Sequence, residues 1–337
     1  MGQCSCQEQI PITSEIPPLN LYQKPLMITE EQINASQATH PLEADKAFSQ
    51  AKTKQMEDLE ELELHRPNKA EAWETTKIFE TISEKVRELQ NELPPLDLEE
   101  REGYFYGVYE LKNGSLYQGT WIEGLREGKG AQIMKNGAFY EGYFVKGRSN
   151  GKGRMIYPDG DYYVGEWLDD QLHGYGEYYH SDGTKYKGNW VKDKQHGYGE
   201  EYFKDSSIFK GQFQNGKKFG EGNFQFPDGS LYEGHFHNNY FSGKGKYTWP
   251  NTKQYIGLWE ASKMNGKGVM IWQDGTRYEG SYLDDKKHGF GIITWPDSRC
   301  YSGQWLNGKM HGIGEYTSST GQQRKGEWCN GKRLKWI

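Results

Sequence analysis

The chain has 337 residues, a net charge of −6 and 43 Gly, with 15% aromatic residues but only 34% hydrophobic residues overall. So few aliphatics exclude an ordinary Leu/Ile/Val core, no run approaches the ~18 consecutive apolar residues of a membrane-spanning helix, and so many rings exclude disorder throughout. Composition breaks near residue 100: residues 1–100 hold a single Gly, Gly2, with 20 acids and 9 bases, and the other 42 Gly follow.

In chain order, residues 1–41 read as a flexible N-terminus, with Pro, Gln, Ser and Thr, opening on Met1-Gly2-Gln3-Cys4-Ser5-Cys6. This start is a candidate acylation signal. The N-myristoylation pattern is M-G-x-x-x-[ST], here with Cys6 at the hydroxyl position. Cys4 and Cys6 stand beside Gly2 as S-palmitoylation candidates. One myristoyl chain binds membranes marginally, and two lipids anchor stably. Four cysteines and no signal peptide fit a reducing, cytoplasmic compartment.

Residues 42–100 form an acidic helical segment. A weak helix is expected over 42–64 and an amphipathic one over 67–93. Phe79, Ile82, Val86, Leu89 and Leu93 follow 3-4-3-4 spacing and make one apolar stripe. Asn68 and Glu71 resemble a capping pair, and Pro94-Pro95 stops the helix. The stripe is expected to dock on the remainder of the chain or on a partner.

From residue 103 the chain repeats. After a half-unit over 103–116, ten positions lie 23 residues apart: Tyr117, Tyr140, Tyr163, Tyr186, Phe209, Tyr232, Tyr255, Tyr278, Tyr301 and Arg324. Each is followed by Gly two residues on and an aromatic two further, as in Tyr117-x-Gly119-x-Trp121. A Gly-x-Gly pair comes next in nine units, from Gly128/Gly130 to Gly312/Gly314. Period-two spacing puts the rings and Gly on one strand face. Asn136-Gly137, Asp159-Gly160, Asp182-Gly183, Asp228-Gly229 and Asp274-Gly275 read as two-residue hairpin turns with both residues at positive φ. The second strand is expected to end on an aromatic such as Tyr157 or Trp249. Each unit is then one β-hairpin, and stacked hairpins bury a ladder of rings.

The Y-x-G-x-W and G-x-G motifs resemble the MORN (membrane occupation and recognition nexus) repeat family over residues 103–337. The resemblance implies a mainly β fold: an elongated, single-layer antiparallel β-meander, a hairpin solenoid, here with an α-helical N-terminal extension. It also implies homodimerisation and binding of acidic phospholipids at a membrane surface. Lys152, Lys217, Lys218, Lys244, Lys246, Lys267, Lys286, Lys287 and the tail Lys332-Arg333-Leu334-Lys335 are the basic residues such binding would use, with ordinary solvated surface charge as the alternative.

Residues between the repeat positions face the other side of the sheet, where most are polar. Ile256, Leu258, Val269, Ile271 and Ile292 break this rule in adjacent units, and Ile156, Tyr179 and Tyr202 form a smaller cluster. An apolar patch on a polar face marks a contact. The expected occupant is a partner protein, a second copy, or the N-terminal helix.

No catalytic constellation rises above the repeat. Gly211-x4-Gly216-Lys217-Lys218, Gly303-x4-Gly308-Lys309 and Gly326-x4-Gly331-Lys332 approximate a phosphate-binding loop but lack its Ser/Thr and its helix. His173, His196, His288 and His311 recur two strands apart, about 9.6 Å, too far to share a metal with bonds of ~2 Å. No metal or cofactor is expected, and no nucleic-acid recognition motif is present. The expectation is a non-enzymatic scaffold that holds protein partners and acidic phospholipids at the cytoplasmic face of a membrane, peripheral by its acyl anchor. The alternative is a structural part of a cytoskeletal or axonemal, radial-spoke-like assembly, in a cilium or the cytoskeleton.

Overall fold

The structure is a computed structural model and describes residues 82–98 and 104–337. It divides into two compact units, with the boundary between Pro227 and Asp228. The first holds a helix, α1 (Glu84–Glu92), and eleven strands from β1 (Tyr104–Glu110) to β11 (Lys217–Gln225). The second holds ten strands, from β12 (Leu231–His237) to β21 (Lys332–Trp336). Within each unit every strand pairs antiparallel with the next along the chain. Each unit is therefore a single-layer antiparallel meander, and the described chain is mainly β with one helix.

Two kinds of turn alternate. β2 (Leu116–Ile122) is joined to β3 (Leu125–Ile133) by Glu123-Gly124, with φ of 51° and 80°. Both residues are left-handed, which is the tight hairpin turn whose twist suits the strands. Asp169-Asp170, Asn238-Asn239 and Asp284-Asp285 repeat it.

The Asn-Gly and Asp-Gly pairs occupy the other turn, which corrects the sequence reading. Between β3 and β4 (Phe139–Val145) the Gly137 N–H donates to the Met134 carbonyl at 2.8 Å, and the Met134 N–H donates to Ala138 O at 2.8 Å. Of the central pair only Gly137 is left-handed, with φ 86°. This is a three-residue loop ending in a left-handed residue. Asn136 is there for its side chain, whose oxygen accepts the Ala138 N–H at 3.1 Å. The aromatics Tyr157 and Trp249 accordingly sit in these loops, one residue past strands that end at Ile156 and Thr248.

The Gly-x-Gly pair lies inside the second strand of each hairpin and makes a bulge. Register between β2 and β3 slips between Gly119 and Trp121, and Gly128 has φ 71°. The extra residue resets the side-chain alternation, so Gly130 and the rings share one face. Gly130 is then required by close approach. A Cβ there would overlap the Tyr117 ring, which lies across the hairpin against it. The Tyr117 hydroxyl donates to the Thr120 carbonyl at 3.1 Å.

The core is the resulting zipper of rings. Tyr163 meets Trp167 of its own hairpin at 5.4 Å and Trp190 of the next at 5.7 Å, both with planes at 88°. Edge-to-face contacts of this kind run from Tyr117 to Phe213 in the first unit and from Tyr232 to Trp328 in the second. Such pairs contribute ~0.5–1.5 kcal/mol each beyond area burial.

The helix expected over 67–93 is not continuous through Ser83, and α1 begins at Glu84. Ser83 has extended backbone and caps the helix, its hydroxyl accepting the Val86 N–H at 3.4 Å. Leu93 is again extended, as a residue before Pro must tend to be. Phe79, the Asn68/Glu71 pair, the 42–64 segment and Gly2, Cys4 and Cys6 lie outside the described residues.

Candidate functional site

The two faces of the sheet differ in what they leave open. On the ring face, the second residue of each nine-residue strand points into the zipper. Leu172, Phe241, Met264 and Met310 fill this position with apolar bulk, and all are buried. Arg126, Lys218 and Lys287 fill it with cations, and these too are buried. Arg126 bonds Gln132 Oε1 and the Gly147 carbonyl. Lys218 Nζ reaches Glu201 Oε2 at 2.6 Å. Lys287 Nζ has rings on three sides, Trp305 at 4.7 Å, Trp272 at 4.9 Å and Tyr278 at 5.0 Å, and no hydrogen-bond partner among the described residues. Met270 stands where Glu201 stands for Lys218, as the next-to-last residue of its strand in each case. Burial alone lowers the Lys287 ammonium to about 7 from 10.5. Lys218 and Lys287 are therefore withdrawn from any surface contact, contrary to their reading as surface bases.

The opposite face carries an apolar row in each unit. In the first unit Ile133, Phe139 and Ile156 stand side by side on three successive strands. α1 covers them: Ile82 and Val86 are buried against this row, with Leu89 and Leu93 at its margin. Arg154 fixes the end of the segment, donating to the Pro94 carbonyl at 3.0 Å while paired with Glu141. Further along, Tyr162 and Tyr179 stack at 4.5 Å. Lys187–Glu177 at 2.7 Å and Lys210–Glu200 at 3.1 Å form charged rungs beside them. Ile156 is thus part of the helix site, whereas Tyr179 and Tyr202 belong to a polar lattice in which each hydroxyl bonds a neighbouring glutamate.

In the second unit the same face is uncovered by any described residue. Ile256 is 46% exposed, Ile292 40% and Leu258 37%. Val269 and Ile271 are half-buried. Val269 pairs directly with Ile256. α1 belongs to the other unit's face, so the helix is not the occupant of this patch among the described residues.

The remaining candidates resolve structurally. Gly216 and Gly308 sit in tight turns between two strands, with φ of 79° and 83°, so the phosphate-loop spacing is a by-product of hairpin geometry. His173, His196, His288 and His311 lie half-buried at the bulges, and no group of three or more His, Cys, Asp or Glu among the described residues could hold a metal. One His–Asp pair does form. Asp161 accepts from His180 Nδ1 at 2.9 Å, Ser181 N–H at 2.8 Å and the Tyr178 hydroxyl at 3.1 Å. Burial opposes ionisation of this carboxyl, but the bonds from His180 and Ser181 outweigh it and hold its pKa below the ordinary value. The cluster braces one loop against the next.

Antiparallel hairpins of 23 residues, with a ring zipper on one face and an apolar row on the other in each unit, define a hairpin-repeat protein. The MORN repeat model matches it nine times in succession from residue 117 to residue 323, and the chain belongs to the MORN-repeat family. No curated protein matches the chain. Among solved structures, it is similar to the SAS-4 (dCPAP) TCP domain of Drosophila melanogaster, in complex with a proline-rich motif of Ana2, at 13% identity, over 56% of this chain and 99% of that one, with a TM-score of 0.28. The wild-type TCP10 domain of Danio rerio CPAP is similar at 12% identity, over 68% and 98%, with a TM-score of 0.24. Likeness at this level carries no functional argument.

Proposed function

We propose that this MORN-repeat protein is a non-catalytic scaffold whose uncovered face around Ile256, Leu258, Val269, Ile271 and Ile292 binds other proteins, as a structural component of a cytoskeletal or axonemal type of assembly. The observation that carries the protein-binding part of this reading is the contrast between equivalent faces. The apolar row of the first unit is sealed by α1, whereas Ile256, Leu258 and Ile292 stand exposed on the second. Exposed apolar patches rimmed by polar residues mark contact sites.

A membrane setting is the second reading, favoured by Gly2, Cys4 and Cys6 in the sequence. The basic residues support it less than their number suggests, since Lys218 and Lys287 are buried. Fractionation separates the two settings. Wild type, Gly2→Ala and Ile256→Lys/Ile292→Lys are expressed in parallel, and each is partitioned between membranes and the detergent-insoluble cytoskeleton. A structural role predicts pelleting that survives Gly2→Ala and is lost with the lysines. Membrane recovery that depends on Gly2, with no pelleting, selects the acylated reading instead.

A further inference from the structure

The uncovered apolar residues of the second unit form a row with a definite period. Lys246, Ile256, Val269, Glu279 and Ile292 face one another on five successive strands. Leu258 lies one level further along, opposite Lys244 and beside the Gly266 bulge. Lys267 follows Gly266 and pairs with Ser281. Ile271 lies on the other side of the row, two residues beyond Val269 on the same strand.

An occupant must place apolar groups at the spacing of neighbouring strands, about 4.8 Å. A polyproline helix repeats one face every three residues, ~9.3 Å, which matches Val269 and Ile292 on alternate strands but not the adjacent Ile256 and Val269. An extended strand repeats a face every ~6.8 Å. An α-helix with a 3-4-3-4 stripe presents one apolar residue every ~5.2 Å of axis, which fits adjacent Ile256 and Val269. The first unit shows this solution in use. Its row Ile133, Phe139 and Ile156 spans three adjacent strands, and the stripe Ile82, Val86, Leu89 and Leu93 seats on it. Val269 and Ile271 occupy the repeat positions of Ala131 and Ile133, six units on, and Ala131 and Ile133 both pack at the α1 site.

Charge gives the occupant its sign. Lys246 is matched by Glu233 at 3.7 Å and Arg277 by Glu279 at 2.6 Å. Lys244 and Lys267 are exposed on either side of Leu258 and form no ion pair with a described residue. Carboxylates on the flank of a docked helix would answer them.

We propose that the row from Ile256 to Ile292 docks an amphipathic α-helix of another protein, with a 3-4-3-4 apolar stripe and Asp or Glu on the flank that faces Lys244 and Lys267. The inference rests on the protein-binding reading above and adds the shape and charge of the partner.

The test uses the full chain, immobilised, against a displayed library of random 18-residue peptides. Peptides that also bind Ile256→Lys/Ile292→Lys are removed by counter-selection. Circular dichroism and amide exchange establish that this variant keeps its ring zipper. The expected result is patch-dependent peptides enriched in the helical stripe with acidic flanks. Their binding should weaken tenfold or more in Lys244→Glu/Lys267→Glu, whose exposed side chains leave packing intact. Patch-dependent peptides that are proline-rich, strictly alternating or basic would overturn the helix and its charge while leaving protein binding in place. Patch-dependent self-association of the wild type in sedimentation would replace the helix with a second copy. A selection that returns no patch-dependent peptide, from a chain that stays monomeric, would overturn both the helix and the protein-binding reading.

Discussion

The ring of Tyr163 lies against Gly176 on the facing strand so closely that a methyl group on Gly176 would overlap its hydroxyl and ring carbons. The Tyr163 hydroxyl is fixed in turn by the Glu166 carbonyl, at 3.0 Å. The two residues are 13 apart in sequence, and the bulge between their strands brings them into register. This relationship, repeated in every hairpin with a Tyr at that position, explains why the chain uses Gly and rings where other proteins use aliphatics.

Gly176→Ala and Tyr163→Phe should therefore act very differently. The alanine forces the buried ring off its seat, an overpacking cost of about 1–3 kcal/mol or more. The phenylalanine loses one hydrogen bond, about 0.5–1.5 kcal/mol. It also has a precedent, since Phe209 is fully buried at the same repeat position. Urea denaturation followed by Trp fluorescence should show a large drop in midpoint for Gly176→Ala and a small one for Tyr163→Phe.

Lys287 should make stability depend on pH in an unusual window. Its ammonium is lowered to about 7 from 10.5 by burial. Between those values the unfolded chain holds the proton and the folded chain does not. Stability therefore rises as pH climbs from about 7 toward 10.5, and the full penalty is present below 7. At about 1.4 kcal/mol per pH unit, the penalty is on the order of several kcal/mol. Lys287→Met should raise Tm at pH 7 and flatten the rise between pH 7 and 10, because Met264 and Met310 already fill this position in the adjacent hairpins. An unchanged pH profile in the Met variant would count against a buried, unpaired amine.

The sheet was legible from spacing because ring and Gly positions are set by close contact and recur without drift. Turn types were harder to read. A left-handed Gly ends both turns, so the sequence does not show that Glu123 is left-handed before Gly124 while Asn136 before Gly137 is not. The burial of Lys218 and Lys287 is not evident in the sequence, because lysine is ordinarily a surface residue. The available signal was positional: 23 residues before Lys287 stands Met264, and 23 after it Met310. The apolar spacing runs through Ser83 without a break in the sequence, and only the extended backbone at Ser83 reveals the cap. The uncovered patch was visible in the alternation, but its relation to the α1 row needed the register.

The loops that lack Gly store strain that substitution can release. Thr252 has φ 64°, and Ser206 and Ser298 both have 72°. A β-branched residue in this region costs about 1–2 kcal/mol, partly offset because Gly gives the unfolded chain about 0.4–1 kcal/mol of extra freedom. Thr252→Gly should give a net gain of roughly 0.5 kcal/mol, seen as a small rise in Tm. The loop contacts should remain, since the Lys253 N–H is bonded by the Asn251 side chain at 3.3 Å and not by Thr252.

The α1 seat should be separable from the zipper, because the helix lies on the opposite face from the rings. Val86 is fully buried in the row of Ile133, Phe139 and Ile156. Val86→Asp places a carboxylate there with no cation on the row itself, a burial that costs several kcal/mol unless the helix leaves. Leaving breaks the Arg154–Pro94 bond and the Lys85 bond to the Asp159 carbonyl, but none of the ring contacts. Amide exchange should show residues 86–93 losing protection while the strands carrying Tyr140 and Tyr163 keep theirs. Val86→Ala should do the same in part, at about 1–2 kcal/mol. Loss of protection throughout the strands in either variant would mean that the helix is part of the sheet's cooperative unit and not a cover docked on it.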